Sequence, residues 1–75
     1  MSPDKHVYMA NQIATFFKTM PQVDAAKGVA DHINKFWEPR MRARLFEIIE
    51  AGGEGLDPVV LQAATQIRKP KPVAA

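Results

Sequence analysis

The stretch QVDAAKGVADHINKFWEPRMRARLFEIIEAGG, from Gln22 to Gly53, decides the fold. Two apolar series lie on either side of one proline, and a pair of glycines closes the second. In the first series Val23, Ala26, Val29, Ala30, Ile33, Phe36 and Trp37 recur at steps of three and four, which predicts a helix from about Gln22 to Trp37. A strand would need alternation instead. The residue before a proline is pushed out of the helical region, so this helix stops by Glu38. Pro39 lacks only an N–H that a first helical turn leaves unpaired, so it opens a further helix running to about Ala51. Met41, Leu45, Phe46, Ile48 and Ile49 form its buried side, and Gly52 and Gly53 end it as left-handed caps. Asp31 and Lys35 make an acid-then-base pair at i, i+4 on the wet face of the preceding helix, worth a few tenths of a kcal/mol.

Working outward, the segment from about Pro3 to Met20 carries the same helical spacing. Ser2 is its expected N-cap, Pro3 its first residue, and Asp4 lies near the positive end of the dipole. Val7, Met9, Ala10, Ile13, Ala14, Phe16, Phe17 and Met20 fill one side, an arc of about half the circumference. A single core contact uses a stripe of roughly 100°. Part of this arc is therefore left over for something outside the chain. On the other flank, Asp57 and Pro58 read as the N-cap and first residue of a short helix ending near Arg68, with Val60, Leu61, Ala63, Ala64 and Ile67 turned inward. The expected architecture is all-α: a small bundle of three main helices plus a short fourth in one domain over residues 1–68, and a disordered Pro/Lys tail over residues 69–75.

A chain of 75 residues buries only about 60% of the surface that its unfolded form exposes. Small domains offset that shortage with disulfides, a metal or a partner. The chain has no cysteine, so disulfides, thiolate ligands and a cysteine nucleophile are all ruled out. Its two histidines, His6 and His32, have no metal-ligand spacing. A partner protein is the remaining option. The net charge of +2 comes from ten basic and eight acidic residues that interleave, which does not favour broad phosphate binding. No apolar run reaches the roughly 20 residues of a membrane span, and the N-terminus lacks the apolar run of a signal peptide. Cytoplasmic localisation is expected.

The residues richest in contact chemistry lie in ADHINKFWEPRMRAR (Ala30–Arg44), which holds the only tryptophan and three of the arginines. Tryptophan and arginine combine large contact area with directed hydrogen bonds and anchor many interfaces. Trp37 also suits core packing at the turn between two helices. Arg42 falls between Ile49 and Phe46 on an apolar face, whereas Arg40 and Arg44 share the polar side with Glu47. Its stem either snorkels over the core rim or brings its charge to a partner's carboxylate or carbonyls. Asn11 is placed on the polar side of the first helix, where water satisfies an amide unless a partner covers it. His32 borders an apolar arc beside Ala25 and Phe36. As a general base it would need a positioned partner and a pocket, and nothing in the sequence supplies a pocket. Gly52, Gly53 and Gly55 lack the spacing of a nucleotide loop. No catalytic, cofactor-binding or metal-binding residue is expected. The candidate partner-binding residues are Asn11, His32, Lys35, Trp37, Arg40 and Arg42.

The stretches VYMANQIATFF (Val7–Phe17) and ADHINKFWEPRMRARL (Ala30–Leu45) resemble the small delta subunit of cytosolic NAD-dependent formate dehydrogenases. The resemblance spans Val7 to about Ala51 and falls on Met9 to Ile13 and on Asp31, His32, Ile33, Lys35, Phe36, Trp37 and Pro39 to Arg42; nothing after Gly55 is carried over. It implies a complex that oxidises formate to carbon dioxide and passes electrons to NAD. Its large subunit would hold a molybdenum or tungsten bis-pterin guanine dinucleotide cofactor and iron–sulfur clusters, and other subunits flavin (FMN), further clusters and the NAD site. The delta subunit would carry no redox centre and would support assembly, cofactor insertion or stability by binding the large subunit. The bare residues also allow a small helical nucleic-acid binder, with Lys35, Arg40, Arg42 and Arg44 around a turn. Against that, Arg42 points away from Arg40 and Arg44, and Glu38, Glu47 and Glu50 dilute the field that a phosphate backbone needs. In isolation, the uncovered arc also leaves room for self-association.

Overall fold

The computed structural model describes residues 4–20 and 24–69. Among them are α1 (Lys5–Lys18), α2 (Ala25–Phe36), α3 (Pro39–Glu50) and α4 (Pro58–Ala63), a 3-10 turn over Ala64–Gln66, and no strand. α2 is the centre of the bundle, packing on α1 on one side and on α4 on the other, while α3 leans on α1.

Each helix end has a local cause. α1 begins later than expected, because Asp4 keeps a non-helical backbone and its carboxylate accepts the His6 N–H at 2.8 Å. Asp4 is thus the N-cap in place of Ser2; Ser2 and Pro3 lie outside the described residues. Asp24 caps α2 in the same way, accepting the Lys27 N–H at 3.2 Å. That helix starts at Ala25 and not at Gln22; Gln22 and Val23 are also outside the described residues. Trp37 and Glu38 are both extended, as the residue before Pro39 must be, and Pro39 is the first residue of α3. At the far end of α3 the Gly53 N–H reaches the Ile48 carbonyl at 2.9 Å and the Gly52 N–H the Ile49 carbonyl at 3.0 Å. This pair of bonds is the Schellman closure, which needs positive φ at Gly52; Gly53 after it also has positive φ. Asp57 caps α4 through the Val59 N–H and Pro58 opens it, as the sequence predicts. The helix tightens into a 3-10 turn after Ala63 instead of running to Arg68. Of the expected tail, only Lys69 is among the described residues.

Buried side chains from all four helices form one cluster, in which Ile33, Leu45, Val29 and Val60 are the largest fully buried members. Ala10, Ala14, Ala26, Ala30 and Ala63 fill the spaces between them and let the helices approach closely. The expected inward faces need three corrections. Phe16, Phe36 and Leu61 are 57%, 64% and 39% exposed. A close contact built on alanine and glycine has room for small side chains at its centre, and bulky ones at its flank keep an outer side in water. The expected Asp31–Lys35 pair is likewise not closed; neither residue has an ion-pair partner among the described residues. Among the described residues, no helix is long and apolar enough to cross a membrane.

Candidate partner-binding surface

The flanks of the α1–α2 pair differ in chemistry. On the flank facing the C-terminal segment, polar side chains are consumed inside the protein. The Asn11 amide donates to the Gly55 carbonyl at 2.8 Å while its oxygen accepts the Asp57 N–H at 2.8 Å. Asn34 repeats the device farther along, donating to the Gln66 carbonyl at 3.0 Å and accepting the Arg68 N–H at 2.7 Å. Lys18 closes on Asp57 at 2.6 Å, and the Lys18 ammonium followed by the Val59 N–H lowers the Asp57 pKa. Arg42 reaches over the bundle to donate to the Arg68 carbonyl at 2.8 Å, and its Nε is buried with no hydrogen-bond partner. These contacts tie both ends of α4 to α1, α2 and α3.

The corner between α2 and α3 is closed as well. Trp37 retains 7% of its surface and belongs to the core, with the His6 ring edge-on to it and the ring centroids 6.1 Å apart. Asp4 joins this corner to α3: one carboxylate oxygen accepts the His6 N–H and lies 2.9 Å from His6 Nδ1, while the other accepts Arg44 Nε and Nη2 at 3.1 and 2.9 Å. The backbone N–H of His6, then its ring, then the Arg44 guanidinium hold the Asp4 carboxyl at about 2, below its ordinary 3.8.

The opposite flank is open and apolar. Gly28 has no side chain because Phe17 occupies its place; a Cβ there would stand 2.5 Å from the Phe17 ring. With Phe17 as floor, a trough of about 430 Å³ runs along α2 between Asp24 and Phe36. A second hollow of about 340 Å³, lined by Ile13 and Phe16 among others, shares Phe17 and His32 with it. The His32 ring lies 4.7 Å from that of Phe36, and the Lys35 ammonium stands 5.9 Å from the same ring. The result is an aromatic surface with a charged edge. It offers contact area and carries no nucleophile–base pair.

The six residues singled out from the sequence do not form one site. His32 and Lys35 line the trough. Arg40 is exposed at the start of α3, away from the trough lining. Asn11 and Arg42 spend their hydrogen bonds within the chain, and Trp37 is core. The three arginines of α3 go to three different settings, since Arg44 is bound to Asp4 and to Glu47 at 3.7 Å. Sequence reasoning misses Phe16 and Phe36 as surface residues and Gly28 as the notch that seats Phe17. The over-wide apolar arc of α1 is the available signal. The chain has no cysteine to hold an iron–sulfur cluster, and among the described residues no three His, Asp or Glu side chains could share a metal.

No curated relative matches the chain at a significant level. The family model of FdsD, the NADH-dependent formate dehydrogenase delta subunit, matches residues 5–64, from the first residue of α1 to just past the end of α4. The match thus covers all four helices, including α4, to which the resemblance of Val7–Ala51 does not extend. It takes in the whole cysteine-free bundle together with the HINKFW-to-arginine corner at its centre, and the chain belongs to the NADH-dependent formate dehydrogenase delta subunit (FdsD) family.

Proposed function

We propose that the chain is a non-catalytic accessory subunit that binds the larger subunits of a cytoplasmic formate dehydrogenase, the molybdenum- or tungsten-containing one first among them, and supports assembly, cofactor insertion or stability. In this reading the pterin, iron–sulfur, FMN and NAD chemistry belongs to those larger subunits. The observation that carries it is the aromatic face of α1 and α2, where Phe16 and Phe36 are more than half exposed beside the Phe17 floor. Apolar surface of this kind rimmed by polar groups marks protein contacts. Phe16 and Phe36 supply the buried anchor, His32 and Lys35 the directed contacts at its edge, and Arg40 a further charge on α3.

Co-purification with the larger subunits tests this. The double variant Phe16→Ala/Phe36→Ala should keep the wild-type helical circular dichroism, because both rings are largely in water already. Its affinity for the complex should fall at least roughly tenfold, the loss that accompanies removal of an interface anchor. Wild-type co-purification of a correctly folded double variant would overturn the proposal.

A further inference from the structure

Along the trough the charged residues of α2 follow a fixed order: Asp24, Lys27, Asp31, Lys35, or acid, base, acid, base. None of the four makes an ion pair among the described residues. The Asp24 carboxylate caps its own helix through one oxygen, leaving the other free. When two helices cross antiparallel, residues whose numbers add to a constant face each other. Asp24 with Lys35 and Lys27 with Asp31 come within one residue of the same total, an offset of about 1.5 Å along the axis, so each acid comes opposite a base of an inverted copy, four pairs in all. A parallel copy in register would instead set like against like. The order is self-complementary in the antiparallel sense only.

We infer that the free chain pairs with a second copy of itself, antiparallel along α2, through the Asp24–Lys35 edge of this trough. Pairing lays the two troughs against each other and brings the exposed Phe36 of each copy toward the Asp24 end of its partner. Charge pairs set the register and the antiparallel sense, and the apolar floor at Phe17 and His32 supplies the contact area. The pairing concerns the chain before it meets the larger subunits. It occupies the same face as the contact proposed above, so the two are alternatives in time.

Sedimentation equilibrium of the full chain at low ionic strength tests the inference with two charge reversals, Lys27→Glu and Asp31→Lys. Both positions are exposed, and circular dichroism confirms that each variant remains helical. The wild type should sediment as a dimer that added salt weakens. Each variant alone places two like pairs in the interface, and its dissociation constant should rise at least roughly tenfold. Mixed in equal amounts, the two should recover a dimer with one chain of each, because the carboxylate introduced by Lys27→Glu in one chain then faces the ammonium introduced by Asp31→Lys in the other. A wild type that is monomeric throughout, variants that dimerise as well as wild type, or a mixture that stays monomeric would each overturn the inference. Its failure leaves co-purification with the larger subunits untouched, and failed co-purification leaves the dimer untouched.

Discussion

Two flanks of the same helix pair have opposite fates. Toward α4, the amides of Asn11 and Asn34 each bridge a carbonyl and an N–H of the returning backbone, and Arg42 adds a third tie. Away from α4, Phe16 and Phe36 stand in water over a floor made by Phe17 on Gly28. Toward α4 the polar side chains bond within the protein, although Tyr8 stays 59% exposed in a hollow of about 370 Å³ beside Asn11; away from α4 the aromatic rings stand in water without such ties. The flank toward α4 holds the fold together, and the flank away from it is the one proposed to meet another protein.

The largest effect that should separate the flanks is at Asn11. Asn11→Ala removes two hydrogen bonds at about 1 kcal/mol each, so urea unfolding should show a loss of about 2 kcal/mol, while the open flank and its binding persist. A loss of binding without a loss of stability would reverse the assignment and make Asn11 a contact residue.

A smaller effect lies at the floor of the trough. In Gly28→Ala the new methyl must displace the Phe17 ring, an overpacking cost of about 1–3 kcal/mol, partly offset by about 1 kcal/mol from better helix propensity. A net loss of about 1 kcal/mol is expected in urea unfolding, with reduced binding because the floor itself moves. Unaltered binding would show that the floor is not part of the contact.

The smallest effect is acid-dependent and belongs to the closed corner. The Asp4 carboxyl titrates at about 2 in the folded protein against an ordinary 3.8, so its ionised form favours the fold. That contribution is complete above the higher value and disappears as pH falls through the lower. Asp4→Asn keeps a good N-cap and should flatten the acid dependence of unfolding between those two values, leaving the residual slope that the lowered Asp57 provides. An unchanged slope would show that the fold does not favour the ionised Asp4 carboxyl.

Much of the sealed architecture is legible in the residues, because its signals are local. Pro39, Gly52, Gly53, Asp57 and Pro58 act within one turn of where they stand, and they place the helix ends correctly. The start of α1 is harder to read because Ser2 and Asp4 both have an N-capping side chain, and the bond from the His6 N–H to the Asp4 carboxylate identifies Asp4 as the cap. The ties of Asn11 to Gly55, of Asn34 to Gln66 and of Arg42 to Arg68 join residues far apart in sequence, and no periodicity encodes them. A helical wheel also assigns Phe16 and Phe36 to an apolar side without saying whether this chain has anything to cover them. The over-wide arc of α1 points to uncovered surface; which rings it leaves in water depends on how closely Gly28 lets the helices meet.

Oxidative footprinting of the assembled formate dehydrogenase tests the central claim most directly, because Phe16, Phe36 and Leu61 are all exposed on a single copy of the chain and lie on different flanks. The account predicts that assembly protects Phe16 and Phe36 from oxidation and leaves Leu61 reactive. Protection of Leu61 with Phe16 and Phe36 still reactive would contradict it.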